Sequence, residues 1–321
     1  MTILLASHTE DVHSLALERA LGALGAEVFR FNTNDFPERV RLTLEVSDVI
    51  DGEIDATAVG LGKCRLRNID AAIYRRPEPP RFTEPIAPLY VEFCKEETAS
   101  ALDAVWNALR FKWLNDPFTM RRARDKALQL GEAHRVGLQT PETFITNDPQ
   151  TVPRYSGGTI YKTLRAAAIE DRAHMPLGVF TTEVAEALRR ELTRLRFAPG
   201  IFQPLVAKAY ELRVTVCGEQ LVACRIDSQD NPAASLDWRV VDPASIPHQI
   251  VALRCDIADR LFRLLKNLEL RFACIDMIVT PDDEYVFLEA NPNGQWLWIE
   301  QLTGAPIASM LAETLLSIAT H

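Results

Sequence analysis

Glu289 and Asn291 stand two residues apart in "FLEANPNGQW" (287–296), at the end of an apolar run. In extended backbone that spacing turns both side chains to one face, so a carboxylate and an amide oxygen point the same way. Oxygen donors so arranged suit a hard cation such as Mg2+. Asn-Pro and Asn-Gly are also ordinary turn formers, and a buried strand ending in a loop would need nothing more. The preceding run adds a third group. Asp276 lies in "FACIDMIVT" (272–280), which "PDDE" joins to "EYVFLEAN" (284–291) as a hairpin, and antiparallel pairing can place Asp276 beside Glu289. Carboxylates on apolar strands require a counter-charge, either an arginine or a metal ion. Two acids and an amide exceed what one arginine neutralises, which favours the metal.

Cations lie in other segments. Lys162 interrupts "TIYKTL", where a lysine either snorkels to solvent or reaches inward to an anion. Lys126 sits in the arginine-rich "RDKALQLG", whose ordinary reading is a solvated helix face. Arg213 in "ELRVTV" lies between apolar strand residues as Lys162 does, and Arg225 in "CRIDS" and Arg239 in "DWRV" are further candidates. As a set these charges match a triphosphate and a developing acyl phosphate. No cysteine or serine need act as a covalent nucleophile. No base is poised for a hydroxyl, which sets a small-molecule kinase aside.

The elements that must position these groups alternate strand and helix. "TILLA" (2–6) predicts a buried strand, 12–24 an amphipathic helix stopped by Gly25, and "AEVFRF" (26–31) a second strand. A meander with a turn at Asp51-Gly52 follows and ends in "AAIYRR" (71–76); "PEPP" (77–80) then precedes a long helical region, 85–111. From "LNDP" (114–117) a new unit begins, with a helix over 120–137, strands at "TPETFITN" and 157–164, and an amphipathic helix over 182–195. "GIFQPLVA" and "AYELRVTVCGEQLVACRIDS" predict antiparallel strands with a hairpin tip at Gly218-Glu219. A helix over 249–268, the two acidic strands and a final helix (305–318) complete the chain.

Bulk properties bound the function. The chain has 321 residues, 47% of them hydrophobic, enough for more than one domain. A net charge of −9 argues against a general nucleic-acid binder. Cys64, Cys94, Cys217, Cys224, Cys255 and Cys274 show no metal-like spacing and suit a reducing compartment. No apolar run approaches membrane-spanning length, and the start lacks the features of a signal peptide, so a cytoplasmic protein is expected.

Taken together, "FRFNTNDFP", "YRRP", "KALQLGEAHRVGLQTPETFITN", "FQPLVAKAYELRVTV", "DWR" and "CIDMIVTPDDEYVFLEANPNGQWLWIEQLTG" resemble the ATP-grasp carboxylate ligases, and among them the microviridin-type (graspetide) ligases that macrocyclise ribosomally made peptides. The resemblance spreads over nearly the whole chain, and the last stretch is its most specific part. It implies an α/β (α+β) ATP-grasp fold: a pre-ATP-grasp α/β domain over 1–113, a central subdomain over 114–200 and a C-terminal subdomain over 201–321 that clamp ATP. It further implies that Lys126 and Lys162 hold phosphates, that Gln203, Leu205 and Val206 border adenine and that Glu211 lies on the ribose side. Asp276, Glu289 and Asn291 match Mg2+ ligands, and Arg213 matches an arginine at the γ-phosphate and acyl phosphate, with Arg225 or Arg239 in support. Pro204 departs from the family, having no backbone N–H where many members carry an acidic residue. "TLRAAAIEDR" replaces a glycine-rich lid, and leader recognition is expected on 166–182 and the following 183–197, where Glu183, Glu186, Arg189, Arg190 and Glu191 lie. The implied partner is a precursor peptide, with no nucleic acid, no membrane and a homodimeric enzyme. Two other readings stay open: a ligase that adds an amino acid or amine to a peptide or small-molecule carboxylate, and a non-catalytic peptide-binding protein.

Overall fold

The structure is a computed structural model and describes residues 1–165, 168–170, 176–178, 180–185 and 190–320. Its first elements are β1 (Thr2–Ser7), α1 (Val12–Ala23), β2 (Glu27–Asn32), β3 (Arg41–Val46), β4 (Ile50–Asp55), β5 (Lys63–Arg65), β6 (Ala71–Tyr74) and α2 (Pro88–Ala108). β1 runs parallel between β2 and β6. Its residues from Ile3 to Ser7 are all buried, as a strand covered on both faces requires. β3, β4 and β5 form a separate antiparallel sheet. The turn expected at Asp51-Gly52 is instead at Ser47–Val49, and Gly52 pairs with Leu44 inside β4. A side chain at Gly52 would collide with the Thr43 carbonyl, so the glycine serves close backbone approach and not a turn.

The next group holds α3 (Pro117–Ala123), α4 (Lys126–Arg135), β7 (Phe144–Thr146), β8 (Thr159–Lys162), β9 (Ala168–Glu170), β10 (Pro176–Gly178), β11 (Thr182–Glu183) and β12 (Gly200–Pro204). The single helix expected over 120–137 is two. Asp125 caps the second by accepting from Ala127 N and Leu128 N, as Asp116 caps the first. The helix expected over 182–195 is not α-helical where described: Thr182–Glu183 pairs with β8, and Arg190–Phe197 is a 3-10 helix. The sheet order is β11-β8-β12-β7. Because β12 pairs with both β7 and β8, the chain leaves this sheet after Pro204, past the boundary expected at 200.

The last group holds β13 (Tyr210–Cys217), β14 (Gln220–Ile226), β15 (His248–Val251), α5 (Cys255–Asn267), β16 (Phe272–Val279), β17 (Tyr285–Asn291), α6 (Leu297–Thr303) and α7 (Ile307–Ala319). All pairs in its sheet, order β15-β14-β13-β16-β17, are antiparallel. Residues 249–251, expected as the start of a helix, belong instead to the edge strand β15 on β14, and the helix begins only at Cys255. Helix α5 turns Ile257, Leu261, Leu264 and Leu265 onto one face of the sheet, against Leu212, Val214, Ile275 and Met277. On the opposite face Cys217, Cys224, Phe272 and Cys274 share a core with Ile3, Leu5 and Ile73 of the first sheet and with α7. The rest of that face carries Glu211, Arg213, Thr215 and Asp276, with Ile226 and Ile278 beside Glu211. Among the described residues no helix is long and apolar enough to cross a membrane.

Candidate active site

The charged cluster of the large sheet is assembled by register. Arg213 pairs with Asp276 across β13 and β16, and Asp276 pairs with Glu289 across β16 and β17, just before an irregularity between Asp276 and Met277. Direct partners share a face, so the three side chains meet. Arg213 Nη1 lies 2.7 Å from both carboxylate oxygens of Asp276, and its Nη2 donates to the Gln295 carbonyl at 3.2 Å. Asn291 Nδ2 donates to Asp276 Oδ2 and Glu289 Oε1, each at 3.2 Å, so the expected trio is one cluster. The arginine considered as an alternative to metal is thus present on Asp276, while Glu289 takes a different cation.

That cation is Lys126. Its Nζ lies 3.2 Å from Glu289 Oε2 and donates to the Thr163 carbonyl at 3.1 Å, tying α4 to both walls of the cleft. As the first residue of α4, Lys126 sits at the positive end of a helix dipole, an unfavourable place for a cation that this pairing offsets. Lys162 ends β8 and is half-buried; burial lowers its pKa while the Glu289 charge acts against that shift. Arg239 donates to both oxygens of Asp237 at 2.8 and 2.6 Å, and its charge lowers the pKa values of Glu289 and Asp276. Burial works to raise Glu289, but Lys126, the Asn291 amide, Arg239 and Lys162 hold it down at about 2. Asp276 is pushed up by burial against the pull of Arg213, with the neighbouring Glu289 carboxylate adding to the rise. Among the described residues, four cations, Lys126, Lys162, Arg213 and Arg239, therefore face three carboxylates, Asp237, Asp276 and Glu289, which leaves positive charge for a further anion.

Arg225 does not join this group. Its direct partner is Leu212, on the face packed against α5, and its guanidinium lies 4.1 Å over the Tyr210 ring with Nε on Asp227 Oδ1 at 2.7 Å. Glu211 shares the face of Arg213 but accepts from Lys208 Nζ at 2.6 Å and from Ser228 Oγ at 2.9 Å. Burial raises its pKa and Lys208 opposes the rise. Gln203 is buried, donates from Nε2 to Thr143 Oγ1 at 2.9 Å and leaves Oε1 without a partner. Leu205 N donates to the Gly158 carbonyl at 3.0 Å. Val206 lines an open cavity of about 490 Å³ with Leu138, Thr140, Pro141 and Val286. Of the charges expected to recognise a leader, Glu186 and Arg189 lie outside the described residues, as do 166, 167, 171–175 and 179; nor are the side chains of Arg190 and Glu191 described.

Sequence reasoning missed Lys208, Asp237 and Gln295. Lys208 carried a signal, being three residues before Glu211 at the start of β13. Asp237 carried one too, two residues before Arg239 and able to accept from its backbone N, as it does at 3.2 Å. Gln295 contributes only a carbonyl, which no residue type announces.

Lys162 at the end of the small sheet and Lys126 at the start of α4 both bring their charge to Glu289 on the large sheet, and fold and charges together are those of an ATP-grasp ligase. The MvdD pre-ATP grasp domain matches residues 2–121. The chain is 30% identical to macrocyclase MdnC from Microcystis aeruginosa MRC, solved bound with precursor peptide MdnA; the match covers 99% of this chain and 100% of that one, with a TM-score of 0.87. A Chryseobacterium gregarium RiPP-associated ATP-grasp ligase, in complex with ADP and a leader and core peptide, is 28% identical over 98% of this chain and 96% of that one, with a TM-score of 0.89. Macrocyclase MdnB from M. aeruginosa MRC is 27% identical, covering 98% and 99%, with a TM-score of 0.79. No curated protein sequence matches the chain. The chain belongs to the microviridin-type (graspetide) family of ATP-grasp ligases.

Proposed function

We propose that this enzyme is a peptide macrocyclase. It transfers the γ-phosphoryl group of ATP to an Asp or Glu side chain of a ribosomally made precursor, and a Ser or Thr hydroxyl or a Lys amine of the same peptide then displaces phosphate, closing an ω-ester or ω-amide ring. The observation that carries this reading is the charge lattice of Lys126, Lys162, Arg213, Asp276, Glu289 and Asn291, assembled in a chain that aligns end to end with two peptide-bound ligases.

The donor set fits Mg2+. Two carboxylates and an amide fall short of an all-protein cage, and among the described residues no group of three or more His, Cys, Asp or Glu is placed to hold a metal ion by itself. Mg2+ suits such a site because it keeps waters and takes phosphate oxygens in addition to one or two carboxylates. Asp276, Glu289 and Asn291 would hold it, the amide presenting Oδ1 once turned over. When bound, the ion neutralises phosphate charge during transfer. Lys126 exchanges its Glu289 contact for phosphate oxygens, and Lys162 approaches them from the end of β8. Arg213 offers a planar fork to the substrate carboxylate and its acyl phosphate, keeping its proton because Asp276 lies against it. Arg239, braced by Asp237, supports it. Gln203, Leu205 and Val206 border the adenine, the free Gln203 Oε1 being an acceptor suited to an exocyclic amine. Glu211 reaches the ribose side together with Lys208. The catalytic power comes from positioning and fixed charge, with no covalent protein intermediate.

Division into a pre-ATP-grasp domain and two clamping subdomains, the second beginning after Pro204, belongs to this reading. So does a cytoplasmic homodimer, supported by the apolar start of α2, where Leu89 is 82% and Phe93 61% exposed; sedimentation of the purified protein tests it. The decisive experiment incubates the enzyme with ATP, Mg2+ and the short peptide encoded beside its gene. Loss of one water per ring with ADP release is expected. A mass gain of one residue indicates amino-acid ligation, and peptide binding with neither ADP nor mass change indicates a binding protein; either overturns the proposal.

A further inference from the structure

The "YRRP" stretch of the N-terminal layer carries a buried charge that the reaction described above leaves unused. Arg75, directly after β6, is 2% exposed. Its Nη1 donates to the Asn293 carbonyl at 2.9 Å and to Asn293 Oδ1 at 2.7 Å, while Nε lies 3.8 Å from Asp11 Oδ2. Nε and Nη2 have no hydrogen-bond partner. Enclosing a guanidinium so incompletely paired costs several kcal/mol by the general price of charge burial. A merely structural contact would be met more cheaply by an apolar side chain.

What Arg75 grips explains its place. Asn293 belongs to the segment that leaves β17 immediately after Glu289 and Asn291, and each of its residues is held separately. Asn115 Nδ2 donates to the Pro292 carbonyl at 3.1 Å, Arg75 takes Asn293, and Gly294 N donates to the Asn291 carbonyl at 3.1 Å. Gly294 packs so closely that a Cβ would stand 2.3 Å from Cys274 Cβ and 3.1 Å from Arg213 Nη2. Gln295 gives its carbonyl to Arg213, and buried Trp296 meets the His13 ring edge-on at 5.1 Å. Arg75 is itself set by Asp11, the N-cap of α1, whose carboxylate accepts from Ser7 Oγ at 2.9 Å and from Ser14 Oγ. A continuous chain of contacts thus runs from the start of α1 through Arg75 and Asn293 to both Asn291 and the backbone acceptor of Arg213.

We propose that Arg75 is a positioning residue of the reaction centre: from the N-terminal layer it fixes the 292–296 segment, and so sets Asn291 beside Glu289 and Asp276 and fixes the carbonyl that orients Arg213. The inference rests on the metal site assigned under the proposed function. Residues that orient metal ligands from outside typically change metal affinity or activity 10- to 100-fold when altered. Mn2+ is the probe, its free signal followed by electron paramagnetic resonance as it is titrated into full-length protein with saturating ADP. Arg75→Lys keeps the charge and loses the fork; Asn293→Ala keeps the backbone acceptor and loses the side-chain one. Both variants are expected to bind Mn2+ about tenfold more weakly with ADP affinity retained, and to need correspondingly more Mg2+ for half-maximal ADP release. Wild-type Mn2+ affinity in a folded Asn293→Ala protein, or in Arg75→Lys with only a lowered Tm, overturns the inference. Failure of the wild-type protein to bind Mn2+ with ADP would instead remove the metal assignment on which it stands.

Discussion

The five-stranded and four-stranded sheets face the same cleft with unequal backing. The larger is packed on one side by α5 and on the other by the N-terminal sheet and α7, with Leu212, Val214, Ile275, Met277 and Phe287 all within 2% of full burial. Behind the smaller sheet, among the described residues, the core comprises Val152, Val184, Leu195 and Phe202. A wall with few buried apolar contacts opens locally at lower free energy than one embedded in a large core. The division suits the chemistry. Under the proposed function, Arg213, Asp276, Glu289 and Asn291, which stand on the thick wall, would need fixed mutual geometry, whereas Lys162, on the thin wall, would follow the nucleotide as it enters.

Substitutions should therefore separate by wall. The largest effect is expected for Glu289→Gln, which strips Lys126 and Asn291 of their shared carboxylate. ADP release with the precursor should fall about 10³-fold, on the scale of losing a preorganised electrostatic group, with circular dichroism unchanged. Full turnover would detach the acidic strands from catalysis. Next, Arg213→Lys retains the charge but not the bidentate fork, and kcat should drop about 100-fold while ADP affinity is retained. Near-normal turnover would leave Arg213 as a salt-bridge partner of Asp276 alone. On the thin wall, Lys162→Ala should weaken nucleotide binding about 10- to 100-fold, the scale of a lost hydrogen bond to a charged group. Unchanged affinity in a titration with ADP would mean that the lysine only snorkels.

The smallest effect concerns the joint between the N-terminal layer and the thick wall. Burial, with the charge of Arg75 against it, pulls His13 down to about 3, so the folded protein holds it neutral. The unfolded chain takes up a proton on this histidine below about pH 6.5, so stability falls as pH drops from there towards the folded value. This single group contributes about 2 kcal/mol between pH 7 and pH 5. Asp11, lowered as well, loses its contribution only at more acid pH. The Tm of His13→Gln should accordingly fall less between those two pH values than that of the wild type; identical slopes would place the sensitivity elsewhere.

What the sequence determined by itself lies within short reach along the chain. The two-residue period sets Glu289 and Asn291 on one face, but the pairing of Asp276 with Glu289 needs the irregularity beside Met277: counted from Val279–Tyr285 and Met277–Phe287, a regular hairpin would set Asp276 against Leu288. Even Arg225 was legible: with Cys217 opposite Gln220 at the hairpin tip, counting back sets Arg213 against Cys224 and puts Arg225 on the other face. The N-caps Asp116 and Asp125 likewise announced two helices where the apolar pattern suggested one. Tertiary structure alone decided that Lys126 would meet Glu289, that His248–Val251 would extend a sheet edge, and that Arg75 would close on Asn293, 218 residues away. Periodicity and capping act over a turn or two of backbone. Which buried charge finds which carbonyl depends on how separate layers pack, and that is fixed only when their apolar faces close on one another.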